Sequence, residues 1–195
     1  MWHVSAERRG TTLVELLIYS VLFVFILGIV YASLVMGLDA YRRTENFATV
    51  QQQAMTSLHA LTDELASSPR SAVRYETGTT GAVLLLSARD ASGRVQYDST
   101  GKALWQAWVA YKLVPGRGLV RSEKALTPTA DVPGTVPTPT EINSDNAATH
   151  RTVSGLVEVL EFTPGTSATE VHLQAANDLR GRTSVDVRDR VFFRQ

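Results

Sequence analysis

Apolar residues crowd the front of the chain and thin into stripes further on. From Leu16 to Leu38 no residue is charged, a run of 23. At 1.5 Å rise per residue a helix over that run spans roughly 34 Å, enough for a bilayer core of roughly 30 Å. The core helix of a soluble protein is the alternative, but such helices rarely run so far without a charge. An ordinary secretory signal has a shorter apolar region followed by a polar break, and here the helical pattern carries on instead. Leu38, Tyr41, Ala48, Gln52, Met55, Leu58, Thr62 and Leu65 recur at spacings near three and four, as one face of an amphipathic helix does. No proline interrupts Thr11 to Ser68, and Pro69 stops the pattern. The pattern predicts one helix of about 80 Å, apolar all round over 11–38 and striped over 39–68.

Beyond Pro69 the period changes from helical to alternating, and residues 69–195 read as a β-rich domain. Ala82 to Ala88 is one expected strand and "GRVQYD" a short second. "GKALWQAWVAYKLVPGRGLVRSEKAL" reads as a hairpin turning at Pro115 to Gly118, with Trp105, Val109, Tyr111 and Leu113 on one face of its first strand. Thr127 to His150 is rich in Pro, Thr and Asn and reads as a long surface loop (127–150). Three alternating strands follow, with turns at Pro164–Gly165 and Asp178–Gly181. A sheet with one apolar face must bury it, and the striped half of the helix is available. The expected fold is α+β: a long N-terminal helix laid against an antiparallel sheet, with Met55, Leu58 and Leu65 facing Trp105, Val109 and Phe162.

Charge and composition exclude more than they propose. The chain has 195 residues, with 19 basic and 19 acidic side chains and a formal net charge of +0. The basic residues are scattered, so no nucleic-acid partner is expected. Cysteine is absent, which removes disulfides, thiolate catalysis and thiolate metal sites. His3, His59, His150 and His172 lie far apart in sequence and suggest no zinc cluster. "INSDNAATH" contains Asn143, Asp145 and Asn146 but lacks the ligand spacing and glycine of a calcium loop. Glu158 and Glu161, at odd separation in a strand, face opposite sides. There is no G-x-S-x-G, phosphate-binding glycine loop or H-E-x-x-H. No catalytic residue, metal or cofactor is expected, and the chain reads as non-enzymatic.

Glu15 is the anomaly. A carboxylate at the entrance to a membrane-length helix costs at least a few kcal/mol if it enters hydrocarbon, so a simple anchor would place it elsewhere. Ahead of it stands a short polar leader, 1–10, ending "ERRG", and the basic pair Arg8 and Arg9 favours a cytoplasmic N-terminus with the domain outside. The junction "GTTLVELLI" resembles the class III signal of type IV prepilins and of the pseudopilins of type II secretion. That resemblance implies cleavage after Gly10 by a membrane prepilin peptidase, which also methylates the new N-terminus, Thr11. Phe is usual in the family where Thr11 stands here. Glu15 becomes the fifth residue of the mature chain. The Trp-x-x-Trp-x-x-Tyr passage and the closing "RVFFR" also look like the larger minor pilins of the W type and the J-type pseudopilin. The resemblance implies other major and minor pilins or pseudopilins and an inner-membrane assembly platform as partners, with a place in the bacterial inner membrane. In such a filament Glu15 would pair with the amine of Thr11, its own or a neighbour's, because opposite charges in low dielectric strongly favour each other over isolation.

Three functions compete on these residues: a minor pilin or pseudopilin that primes or caps a filament, a membrane-anchored binding or sensor protein, and an enzyme on the same anchor. The leader junction and the unbroken helix favour the first.

Overall fold

The computed structural model describes residues 12–76, 78, 80–90, 92–178 and 183–193. The chain divides into two compact units, Met1–Glu45 and Asn46–Gln195. The first unit is the leading part of helix α1 (Leu13–Ser67). Every large apolar side chain from Leu13 to Leu38 is 40% or more exposed, so this stretch has no buried face. It is long and apolar enough to cross a membrane, and membrane anchoring is what such a surface implies.

In the second unit α1 acquires a face. Val50, Ala54, Ser57, Leu58, Leu61, Thr62 and Leu65 are buried. This corrects the expected stripe: Leu58, Thr62 and Leu65 belong to it, whereas Met55 is 52% exposed. The reason is phase. Steps of 4, 3, 3, 4 and 3 from Ala48 to Leu65 fall short of 3.6 and rotate that stripe by roughly 100° around the helix. Val50, Ala54, Leu58, Leu61 and Leu65 stay within one sector. The helix ends where Ser68 turns inward, its Oγ accepting from the Leu86 amide at 2.9 Å, and Pro69 then opens a short 3-10 turn at Arg70–Ala72.

Among the described residues, eight strands form two antiparallel meanders. β1 (Arg74–Glu76), β2 (Ala82–Ser87), β3 (Trp105–Val114), β4 (Gly118–Thr129) and β5 (Thr149–Ser154) make a five-stranded sheet in sequence order. β6 (Val157–Pro164), β7 (Ala168–Asn177) and β8 (Thr183–Phe192) make a three-stranded one. The β3–β4 hairpin pairs Val114 with Gly118, whose φ of 74° and contact with the Ser154 carbonyl leave no room for a Cβ. The chain changes sheets at Gly155–Leu156, so "VSGLVEVLEFTPG", the first of the three alternating strands expected after residue 150, holds the end of β5 and all of β6. The turn expected at Asp178–Gly181 lies mostly outside the described residues.

The main core lies between α1 and the inner faces of both sheets. Val83, Leu85, Val109, Tyr111, Leu113 and Leu119 come from the first sheet, and Leu160, Phe162, Val171 and Leu173 from the second. A smaller core on the outer face of the five-stranded sheet gathers Leu84, Leu86, Trp108, Ala110 and Ile142. β2 is therefore buried on both faces, which explains why "AVLLLS" does not alternate. Two expectations fail here. Trp105 packs with the outer core, because a register shift between Trp105 and Ala107 breaks its phase with Val109. The supposed loop 127–150 carries helix α2 (Pro139–Ser144), which lays Ile142 over the outer core. Its start signal was in the sequence: Thr138 and Glu141 form a reciprocal capping box with Pro139 at the first helical position.

Candidate functional site

Gly10, Thr11, Arg8 and Arg9 lie outside the described residues. Glu15 lies within them, on the first turn of α1. The Thr12 amide donates to Glu15 Oε2 at 3.0 Å, and the Glu15 amide donates to Thr12 Oγ1 at 3.3 Å. Thr12 Oγ1 also donates to the same carboxylate oxygen at 3.2 Å. This is a capping box, T-x-x-E, which satisfies two donors that a helix start leaves without partners. The spacing was legible in the sequence. Glu15 thus has local work as a helix cap, and any other partner for Oε2 would compete with Thr12.

The nearest approach to nucleophile chemistry is Ser122, whose Oγ lies 2.8 Å from His150 Nδ1. Ser122 is fully buried, and its Oγ is also within 3.0 Å of Asn143 Oδ1 on α2. The other ring nitrogen of His150 lies 3.2 Å from the Asp145 carbonyl. The group fastens α2 and its following turn to β4 and offers no path for a substrate to the hydroxyl. Asp145 and Asn143, from the stretch whose spacing does not fit a calcium loop, are likewise engaged. Lys124 Nζ is 2.6 Å from Asp145 Oδ2, and this bond is the main reason the Asp145 carboxyl stays below its ordinary range. Among the described residues no group of three or more His, Asp or Glu could hold a metal ion.

His59 is exposed on α1. His172 has a defined place that its position in an alternating strand did not reveal. On the outer face of the three-stranded sheet its Nδ1 lies 3.1 Å from Glu161 Oε2 on β6, and its Nε2 lies 2.9 Å from Asp186 Oδ2 on β8. Burial opposes a charge on the ring, but the hydrogen bonds to Asp186 and Glu161 outweigh it and raise the His172 pKa above its usual value. A ring with both nitrogens facing carboxylates bridges three strands, and it holds both of them best when protonated.

A second cluster joins helix to sheet. Arg121 on β4 reaches Glu64 of α1 with Nη2 at 3.1 Å and also touches Glu123. The fully buried Tyr111 sits beside them. Its hydroxyl is pushed well above the ordinary tyrosine range, first by burial and then by the negative charge of Glu64.

Residues 89–104 depart most from expectation. "GRVQYD" forms no strand: only the single bridges Arg89↔Val95 and Tyr97↔Ala103 occur. The sequence repeats D-x-[S/T]-G-[R/K] at Asp90–Arg94 and Asp98–Lys102, and the aspartate of each copy accepts the same pattern of hydrogen bonds. Asp90 Oδ1 accepts from the amides of Ser92 and Arg94 at 2.8 and 3.0 Å; Asp98 Oδ1 accepts from Thr100 and Lys102 at 2.8 and 2.9 Å. Two turns eight residues apart leave three residues between them, too few for a ladder. The Ser92 hydroxyl and the Arg94 amide hold the Asp90 carboxyl down at about 2.

No family model, curated protein or solved structure matches this chain. A long apolar N-terminal helix whose later turns pack on antiparallel sheets agrees with a generic pilin-like plan and assigns no specific family.

Proposed function

We propose that the chain is a minor pilin-like structural subunit that primes or caps assembly of a type IV pilus filament, and that it is not an enzyme. The observation that carries this reading is the junction itself. A basic pair and glycine (Arg8, Arg9, Gly10) stand directly before a helix whose fifth residue from Thr11 is Glu15, and that helix is apolar and exposed on every side through Leu38. A stalk with no buried face gains stability only when lipid or neighbouring stalks cover it. Cleavage after Gly10 would place the charged amine of Thr11 within reach of its own or a neighbour's Glu15. The partners on this reading are the prepilin peptidase and N-methyltransferase, the other pilins and the inner-membrane assembly platform. A J-type pseudopilin of type II secretion would use the same junction and the same stalk.

The test is the intact mass of the protein extracted from membranes, with and without the peptidase. The expected mature species begins at methylated Thr11, and a bulky residue at Gly10 should leave the leader attached and keep the chain out of filaments. A mature chain beginning elsewhere, or an uncut chain that still supports assembly, overturns the reading.

A further inference from the structure

Outside α1, the large apolar side chains left exposed among the described residues are Val95, Tyr97 and Phe192, at 40%, 63% and 63%. All three line one cleft of about 440 Å³, together with Trp105 and the pair Asp63 and Arg89. They arrive from the repeated turns, the end of β8, the start of β3 and the last turns of α1. Exposed apolar surface from two distant places, the segment between the repeated turns and the end of β8, thus meets at a single point beside Trp105, where single scattered side chains would need no explanation. The cleft is also within the size range of ligand sites.

The wall that carries Tyr97 is stiff. Each flanking turn is held by an aspartate with three donors on one oxygen, and Gly93 and Gly101 supply the left-handed φ of 78° and 82° that both turns need. The Leu104 amide donates to the Gln96 carbonyl at 2.8 Å and fixes the segment between them. Tyr97 is therefore an exposed ring on an ordered backbone, which lowers the entropy lost when something packs on it.

The polar side of the cleft narrows the chemistry. Arg89 Nη2 lies 3.9 Å from Asp63 Oδ2, with both side chains about half exposed. A wholly apolar ligand would strip water from this pair and return no hydrogen bond. A strongly charged ligand would meet as much opposing as favourable charge. A peptide added as a strand needs a free sheet edge; β3 is paired on both sides by β2 and β4, and the edge strand β8 reaches the cleft only through its last residue, Phe192. A neutral ring with C–H faces and hydroxyl edges suits both the aromatic and the polar walls. We propose that this cleft binds a neutral oligosaccharide, with sugar rings against Tyr97 and Trp105 and hydroxyls shared by Asp63 and Arg89. The inference rests on the cleft alone and holds whether or not the chain enters a filament.

The experiment uses the full chain in lipid nanodiscs free of sugar detergents, with maltotriose, cellotriose and chitotriose as probes, read by saturation-transfer NMR and tryptophan emission. At least one trisaccharide should bind saturably. Tyr97→Ala should weaken that binding about tenfold, the loss expected for one ring contact, without lowering the melting temperature. Asp63→Asn, which keeps the aromatic wall, should weaken it as well and serves if the first variant folds poorly. Absence of saturable binding by all three sugars overturns the proposal. So does binding that both variants leave unchanged, or preference for a decaproline peptide over every sugar.

Discussion

Arg121 on β4 grips Glu64 on α1 with two nitrogens, Nη2 at 3.1 Å and Nε at 3.2 Å from the same carboxylate oxygen. Both side chains are about five-sixths buried, at 16% and 17% exposure. This pair ties the helix to the sheet beside the buried hydroxyl of Tyr111. Glu64→Gln leaves the guanidinium with a neutral partner on α1 while Glu123 still faces it on β4, and should cost about 1–2 kcal/mol. Replacing both Arg121 and Glu64 by methionine should recover most of that loss, because two paired charges then leave the interior together. Denaturant unfolding of the native chain, Glu64→Gln and the double-methionine variant measures both effects.

The corrected helix face makes a second prediction. Leu61 is fully buried and Met55 is half exposed, though both are large apolar residues of one helix. Leu61→Ala should cost about 2–5 kcal/mol, and Met55→Ala less than about 0.5 kcal/mol. Equal melting-temperature losses would mean that the buried sector is misplaced.

His172 sets a pH dependence. Its folded pKa is raised, so the stability it contributes is fully present below the unfolded value, about 6.5, and is lost as pH rises through the folded one. The facing charges are Glu161, Asp186 and, opposing the proton, Arg188. Unfolding free energies from about pH 5 to about pH 9 should fall across that window in the native chain, and His172→Gln should flatten the fall.

Glu15 can be separated into two roles. Glutamine retains the capping box, since its amide oxygen can accept from the Thr12 amide, but it cannot neutralise a buried amine. If Glu15 pairs with the amine of Thr11 in a filament, Glu15→Gln and Glu15→Ala should both insert, be cleaved and fail to crosslink with partner pilins. If Glu15 only caps the helix, Glu15→Gln should behave as the native chain does. Crosslinking yield and filament number at matched membrane levels distinguish the two.

Local patterns carried part of this molecule. The 23-residue uncharged run, the stop at Pro69, the Pro115–Gly118 hairpin and the T-x-x-E starts at Thr12 and Thr138 depend on neighbours within a few residues. Such signals act through backbone geometry and one-turn hydrogen bonds, so they are readable in the order of the residues. The repeated D-x-[S/T]-G-[R/K] turns were readable in the same way.

What faced what was settled only in three dimensions. The buried sector of α1 depended on accumulated phase, and the side of Trp105 depended on one register shift in β3. The five- and three-stranded sheets divide at Gly155 because β5 pairs back to β4 while β6 pairs forward to β7, a choice among distant partners. His172 met Glu161 and Asp186, and Tyr97 came to line one cleft with Phe192, across separations that no local spacing encodes. Residue order alone was enough for a membrane-length helix, a β-rich remainder and the motif at the helix start. Tertiary packing decided which side chains share the core, the His172 clamp and the cleft, because burial and pairing are properties of the whole folded chain.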